Sequence, residues 1–156
     1  MNTAERLLTT IDWSRLHAIA DANGDGIRSA LADLLASDSP ESAERAYWRI
    51  ENHAFAQHDL FEVAEACTSV LIASLLDPRE RWVRIAVLEL LFWILGGYAS
   101  PSASTPPDIR ERCHAVAREG LWLLIREAIG EHRDAALEVL NHLGEQERAW
   151  RLIELG

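Results

Sequence analysis

Apolar residues recur every three or four positions along almost the whole chain, and no segment alternates apolar and polar residues as a β-strand does. This spacing is typical of amphipathic α-helices around a common core. Helix boundaries divide this pattern. A helix is predicted to start at Ser39-Pro40, with proline in its first turn, and another to end at the glycine pair Gly96-Gly97. With Asp12 as the first cap, the pattern predicts about eight helices, beginning near Trp13, Ile27, Pro40, Leu60, Pro78, Asp108, Glu131 and Glu145.

Part of this pattern occurs three times. Residues 84–91 recur at 133–140 with arginine, alanine, leucine and glutamate in the same relative places, and a weaker copy lies at 44–50. The outer copies are each followed by an Asn-His pair, Asn52-His53 and Asn141-His142. These pairs have two interpretations: hydrogen bonding to the turn that follows each helix, or a shared contact with a ligand. A period of about 40 to 50 residues is typical of stacked helical hairpins.

The repeat and the spacing together predict an all-α fold with one domain over residues 1–156. We expect a short right-handed α-solenoid without a sheet of three or more strands, and with antiparallel hairpins at about 13–36, 40–76, 78–129 and 131–155. Residues 98–108 contain three prolines and several serines, so the composition predicts a mobile loop that can be deleted without loss of the fold.

Two sets of residues resemble known helical-repeat proteins. Arg84-x-Ala86 stands where the first helix of a HEAT-type repeat often carries an arginine and a small residue, and the chain resembles HEAT-like and armadillo-like α-solenoids over about 40–155. A second set of residues resembles small HEAT-repeat proteins of high-GC bacteria. It consists of Asp12-Trp13-Ser14-x-Leu16, Tyr47-Trp48-x-Ile50-x-Asn52 and Gln57. Several families of this kind are immunity proteins encoded beside toxin genes, and the resemblance implies such a role.

The charge of the chain restricts its partners. The formal net charge is −10, and all 15 basic residues are arginine. An acidic protein repels phosphate backbones, which argues against nucleic-acid binding, and it attracts basic partners. The absence of lysine excludes Schiff-base and P-loop chemistry. The sequence predicts no signal peptide and no membrane span, so we expect a cytoplasmic protein.

Candidate chemistry is sparse. Glu111-x-x-His114 has the spacing of one half of a di-iron site, but the other half is missing. The turn from Asp21 to Gly26 matches only the first half of a calcium-binding loop. Cys67 and Cys113 lie in apolar helical patterns and are interpreted as core residues. The sequence therefore predicts no cofactor, no metal and no catalytic residue.

The tryptophans and carboxylates suggest a binding surface instead. Trp48 and Trp93 are predicted to lie in the core, whereas Trp122 follows the polar side of its helix, where it either anchors an interface or packs on the next hairpin. The predicted partner-binding residues are Glu62, Glu65, Glu111, His114, Arg118 and Trp122.

Two functions fit these observations. The first is an immunity protein that occludes the active site of a basic toxin domain. The alternative is a small enzyme or metal-handling protein on a HEAT-like scaffold, with the histidines and Glu111 around a pocket. A toxin gene next to this one would favour the first function, and tightly bound zinc or iron would favour the second.

Overall fold

Helices make up most of the chain, which confirms the all-α class. The computed structural model describes all 156 residues. Its nine α-helices are α1 (Thr3–Thr10), α2 (Asp25–Leu35), α3 (Pro40–Ala54), α4 (Ala64–Ser74), α5 (Arg81–Leu95), α6 (Ile109–Glu119), α7 (Leu121–Ile129), α8 (Arg133–His142) and α9 (Gln146–Leu155). A single cluster of 42 buried apolar residues forms the core.

The three copies of the repeated pattern lie on α3, α5 and α8. These helices are neighbours, since α3 packs on α5 and α5 packs on α8. Behind them α1 packs on α4 and α4 on α6, while α7 and α9 pack against α8. The predicted hairpin at 40–76 does not form as a pair, because α3 packs along α2 and α5 and not along α4.

The N-terminal region differs from the prediction. The first helix begins at Thr3, where the Asn2 side chain accepts a hydrogen bond from the Glu5 amide (3.0 Å) and the Glu5 carboxylate accepts one from the Asn2 amide (2.9 Å). This capping box uses two amides that a helix start leaves unpaired. Asp12 makes no capping bond to the chain that follows it, and that chain forms only the short 3₁₀ turns Trp13–Arg15 and Ile19–Asp21.

The helix predicted to start at Asp108 is in fact two helices. It is divided at Gly120, which ends α6 and precedes α7. A Cβ atom at Gly120 would lie 2.3 Å from Cγ2 of Ile72 on α4, so only glycine allows the chain to approach α4 so closely. The break separates Trp122 on α7 from Glu111, His114 and Arg118 on α6.

A small sheet also contradicts the prediction. Its three strands, β1 (Phe55–Ala56), β2 (Asp59–Leu60) and β3 (Tyr98–Ala99), have two residues each. β1 pairs antiparallel with β2, and β2 pairs parallel with β3. The sheet replaces the predicted start of a helix at Leu60 and connects the chain after α3 to the chain after α5.

The segment 98–108 is therefore tied to the rest of the molecule, contrary to the prediction of a mobile loop. The Tyr98 amide donates to the His58 carbonyl (2.7 Å), and Ser104 Oγ donates to Asp21 Oδ1 (2.8 Å). The guanidinium of Arg110 lies 4.4 Å from the centre of the Tyr98 ring.

Replacing residues 98–105 with a glycine-serine segment of equal length should lower the free energy of unfolding by about 2 kcal/mol. The replacement removes a side-chain hydrogen bond worth about 1 kcal/mol and a cation–π contact worth about 0.5–1 kcal/mol. Urea denaturation followed by circular dichroism measures the change. An unchanged midpoint would restore the interpretation as a loose loop.

Candidate functional site

The first two predicted contact carboxylates lie near the start of α4. Glu62 Oε1 accepts a hydrogen bond from the His17 amide (2.8 Å), and Glu65 Oε2 lies 3.9 Å from Arg112 Nη1 on α6. Asp108, followed by Glu65 and Glu62, raises the pKa of Arg112. The carboxylates therefore surround one arginine, which partly neutralises them.

The polar residues of α6 bond to the ends of neighbouring helices. His114 Nε2 donates to the Leu95 carbonyl at the end of α5 (2.7 Å), and Arg118 Nη2 donates to the Leu143 carbonyl at the end of α8. Burial, followed by the charges of Arg110 and Arg118, lowers the pKa of His114. Because the last carbonyls of a helix have no partner within it, these bonds stabilise the packing of α6 on α5 and α8. Glu111 is exposed.

Trp122 lies on the surface, with 67% of its area exposed. It lines a shallow cavity of about 340 Å³ with Arg148, Arg151 and Leu152 of α9. The surroundings of this tryptophan are therefore basic, in contrast to the acidic surroundings of Glu62 and Glu65. Of the two interpretations of Trp122, this exposure favours the surface position over packing on the next hairpin, and its partner-contacting role stays a prediction.

Trp48 and Trp93 are not core residues, which corrects the sequence interpretation. They are 51% and 39% exposed. The buried side of α3 consists of Ala43, Ala46, Ile50 and Ala54, and Trp48 projects from the opposite side. Trp48 is two positions from both Ala46 and Ile50, so its indole lies on the surface.

A groove between α3 and α5 is lined by aromatic and acidic side chains. Its volume is about 280 Å³, and its floor includes the buried alanines Ala43 and Ala86. The indole Nε1 of Trp82 donates to the Ser37 carbonyl (3.3 Å), which orients this wall of the groove. The other lining residues are Pro40, Glu44, Tyr47, Trp48, Ile85 and Glu89.

A second cavity, of about 330 Å³, lies between α4, α5 and α7. It is lined by Arg79, Arg84 and Arg126 together with Asp77 and Glu127. Arg84 Nη2 lies 2.6 Å from Glu127 Oε2, and Arg126 donates to the Leu75 carbonyl at the end of α4. Arg84 and Arg126 thus bind groups of the protein itself. Arg79 Nε donates to the Ser74 carbonyl (3.2 Å), but its Nη2 atom is buried without a partner.

The two Asn-His pairs do not have equivalent surroundings, and no side chain of either pair bonds to the turn after its helix. Asn52 and His53 bond to carbonyls of the preceding turn of α3. His142 instead lies against Phe92, with ring centres 4.9 Å apart, and its Nε2 atom is buried without a partner. Burial, together with nearby Arg110 and His114, lowers its pKa.

The two cysteines and the turn before α2, which the sequence offered as candidate reactive or calcium-binding groups, have structural surroundings. Cys67 and Cys113 are buried free thiols, as predicted for core residues, and burial raises the pKa of both, to about 12 for Cys113. In the turn before α2, Asn23 Oδ1 accepts a hydrogen bond from the Asp25 amide (3.0 Å). No group of three or more histidine, cysteine, aspartate or glutamate residues is arranged to hold a metal ion.

The chain is thus a mainly helical protein with a groove of aromatic and acidic side chains between α3 and α5. Comparisons with protein-family models, curated proteins and solved structures found no match to this chain. None of its helices combines the length and apolarity needed to cross a membrane. Arguments about function therefore rest on the geometry and charge of the chain itself.

Proposed function

We propose that this protein is a non-catalytic protein-binding module, and specifically an immunity protein that neutralises a basic toxin domain by covering its active site. One observation carries the proposal: large aromatic side chains lie exposed on a chain of net charge −10. Exposed tryptophans are common anchors of protein interfaces, and the net negative charge of the chain favours a basic partner.

The proposal includes the architecture. We infer that α3, α5 and α8 form one row of a short right-handed α-solenoid, with α1, α4 and α6 as the second row. The sequence repeat supports this, because its three copies lie on α3, α5 and α8, of which α3 packs on α5 and α5 on α8. Stacked repeats present a continuous surface, which suits a binding protein.

Glu62, Glu65, Glu111 and Trp122 remain the proposed contacts with the toxin. Glu111 is the most accessible of the carboxylates, and Trp122 is the most exposed tryptophan. His114 and Arg118 also remain proposed contacts, and they connect α6 to α5 and α8. Arg118 is itself exposed.

The function is tested by binding the product of the neighbouring gene in stopped-flow experiments. Association should slow as salt rises from 0.1 to 1 M, since the Debye length falls from about 10 Å to about 3 Å over that range. Reversing Glu111 to arginine should slow association at least about threefold at low salt. Asp134→Arg, which changes the net charge equally on α8, is the control for position. An association rate independent of salt would contradict electrostatic capture.

Trp122→Ala should act on dissociation. Loss of a central aromatic anchor costs about 2 kcal/mol, which is roughly a thirtyfold faster dissociation. Trp150→Ala removes another exposed indole, from α9, and serves as the control. If Trp122→Ala dissociates at the wild-type rate, or no faster than Trp150→Ala, Trp122 is not the anchor.

A further inference from the structure

The groove between α3 and α5 combines three aromatic walls with a purely acidic set of charges. Tyr47, Trp48 and Trp82 supply the aromatic surface, and the rings of Tyr47 and Trp48 meet edge to face at 5.4 Å. Glu44 and Glu89 are the ionisable groups at its sides apart from the tyrosine. Neither carboxylate takes part in an ion pair within the protein, so both are free to bind a positive group from outside.

A third carboxylate reinforces the negative charge. Glu51 lies one turn beyond Tyr47 on α3, and its Oε2 atom is buried without a hydrogen-bond partner. Burial raises the pKa of Glu51. Burial, followed by the charges of Glu51 and Glu89, raises the pKa of the Tyr47 hydroxyl to about 12. The negative charges of Glu51 and Glu89 are therefore both felt at the Tyr47 end of the groove.

We propose that this groove binds an arginine side chain of a protein partner. A guanidinium group is planar and weakly hydrated, so it stacks on indole and phenol rings while it donates hydrogen bonds to carboxylates. An anionic group would be repelled by Glu44 and Glu89. An aliphatic side chain would remove water from these carboxylates without replacing their hydrogen bonds.

The geometry favours arginine over lysine. An ammonium group is a compact, strongly hydrated charge and makes no planar stack, whereas a guanidinium covers an aromatic face and reaches a carboxylate at the same time. The small floor residues Ala43 and Ala86 leave the space between the rings for such a flat group. The biological use of the site rests on the proposed function, because it makes the groove the receptor for a basic toxin surface.

The binding itself is tested without the partner. N-acetyl-arginine methylamide is titrated into the protein while the indole N–H resonances of the tryptophans are followed by NMR. We expect saturable shifts at Trp48 and Trp82, and at least tenfold weaker binding of the neutral analogue N-acetyl-citrulline methylamide. Equal binding of the two compounds, or no binding of either, would overturn the proposal. Tighter binding of the lysine derivative would overturn the choice of arginine.

Variants assign the binding to the groove. Trp48→Ala and Glu89→Gln should each weaken arginine binding about three- to tenfold, as expected for losing a cation–π contact or a charged hydrogen-bond acceptor. Glu138→Gln is the matched control, because Glu138 occupies the place of Glu89 in the next repeat copy and is also exposed. Trp150→Ala is the aromatic control. Equal losses in Glu138→Gln and Glu89→Gln would show a nonspecific effect of charge and sink the assignment.

The same variants separate this proposal from the proposed function. A toxin that binds Trp48→Ala and Glu89→Gln with wild-type affinity would overturn the role of the groove and leave the immunity function intact. If the groove binds arginine but the protein has no affinity for the neighbouring gene's product, the immunity function is overturned and the arginine site stands.

Discussion

Replacing Arg84 with alanine is expected to lower the free energy of unfolding by about 2 to 3 kcal/mol, somewhat less than the roughly 3 to 5 kcal/mol that follows when a buried charge loses its only partner. Arg84 on α5 lies 2.6 Å from the carboxylate of Glu127 on α7, and only 2% of the Glu127 side chain is exposed. Without the arginine this carboxylate stays buried, with the Arg126 guanidinium 3.7 Å away as its remaining cation. Urea denaturation at pH 7 measures the loss.

The two ends of this ion pair are not equivalent. The Arg84 side chain is 27% exposed and lines an open cavity, so in Glu127→Ala the unpaired guanidinium still reaches water. Glu127→Ala should therefore cost less than Arg84→Ala. The double variant Arg84→Met/Glu127→Leu should recover much of the loss, since it leaves no unpaired charge. Arg112→Ala, on an exposed ion pair with Asp108, is the control and should change stability by at most about 1 kcal/mol. A loss in Arg84→Ala no greater than this control would contradict a structural role.

Helical spacing predicts most of the architecture because it is a local property. The helices near residues 40, 78, 131 and 145 are found close to their predicted starts, as α3, α5, α8 and α9. The repeat adds long-range information, since its three copies are on neighbouring helices. Which helices pair is not local, and there the prediction of an α3–α4 hairpin is wrong.

The errors on tryptophan have a physical explanation in the sequence itself. Ala43, Ala46, Ile50 and Ala54 are spaced by three or four residues, which places them on one side of α3. Trp48 is two positions from both Ala46 and Ile50, so it points away from that side. Giving weight to spacing before hydrophobicity would have placed this indole on the surface and revealed one wall of the groove.

The sheet and the helix break depend on contacts that no local pattern contains. The β1–β2 turn uses Gln57-His58, with Gln57 at a φ of 55°, although neither residue is typical of a tight turn. β3 joins this hairpin only because α5 brings Tyr98 next to His58. Similarly, nothing near Gly120 in the sequence indicates that Ile72 will lie against it.

For the predicted site residues too, the features that depend on local spacing are predicted better than those that depend on long-range contacts. Glu111 follows the polar side of its helix and is exposed in the structure. Trp122 is exposed as well, but its predicted alignment with Glu111 assumed one continuous helix, which the break at Gly120 contradicts. The bonds of His114 and Arg118 to the ends of α5 and α8 depend on how the helices pack, so the sequence pattern could not predict these bonds.

Gly120→Ala is expected to lower the free energy of unfolding by about 3 kcal/mol, at the upper end of the cost of overpacking a core. The new Cβ atom would lie 2.3 Å from Ile72 Cγ2, which is attached directly to the branched Cβ of a buried residue and cannot move aside. The backbone at Gly120, with φ of −106° and ψ of 22°, is accessible to alanine, so the cost is steric. Thermal and urea denaturation measure it. Gly26→Ala in α2, where nothing lies within 4 Å of the new Cβ, is the control and should stabilise by about 0.5 to 1 kcal/mol.

The contact is assigned by combining Gly120→Ala with Ile72→Leu. Leucine keeps the volume of isoleucine but has no methyl group on its Cβ, so the substitution alone should cost less than about 1.5 kcal/mol. In the Ile72→Leu background Gly120→Ala should lose much less stability than in the wild type, with a coupling of about 1 to 3 kcal/mol between the two positions. Additive losses would mean that Ile72 does not determine the need for glycine, and that the break between α6 and α7 has another cause.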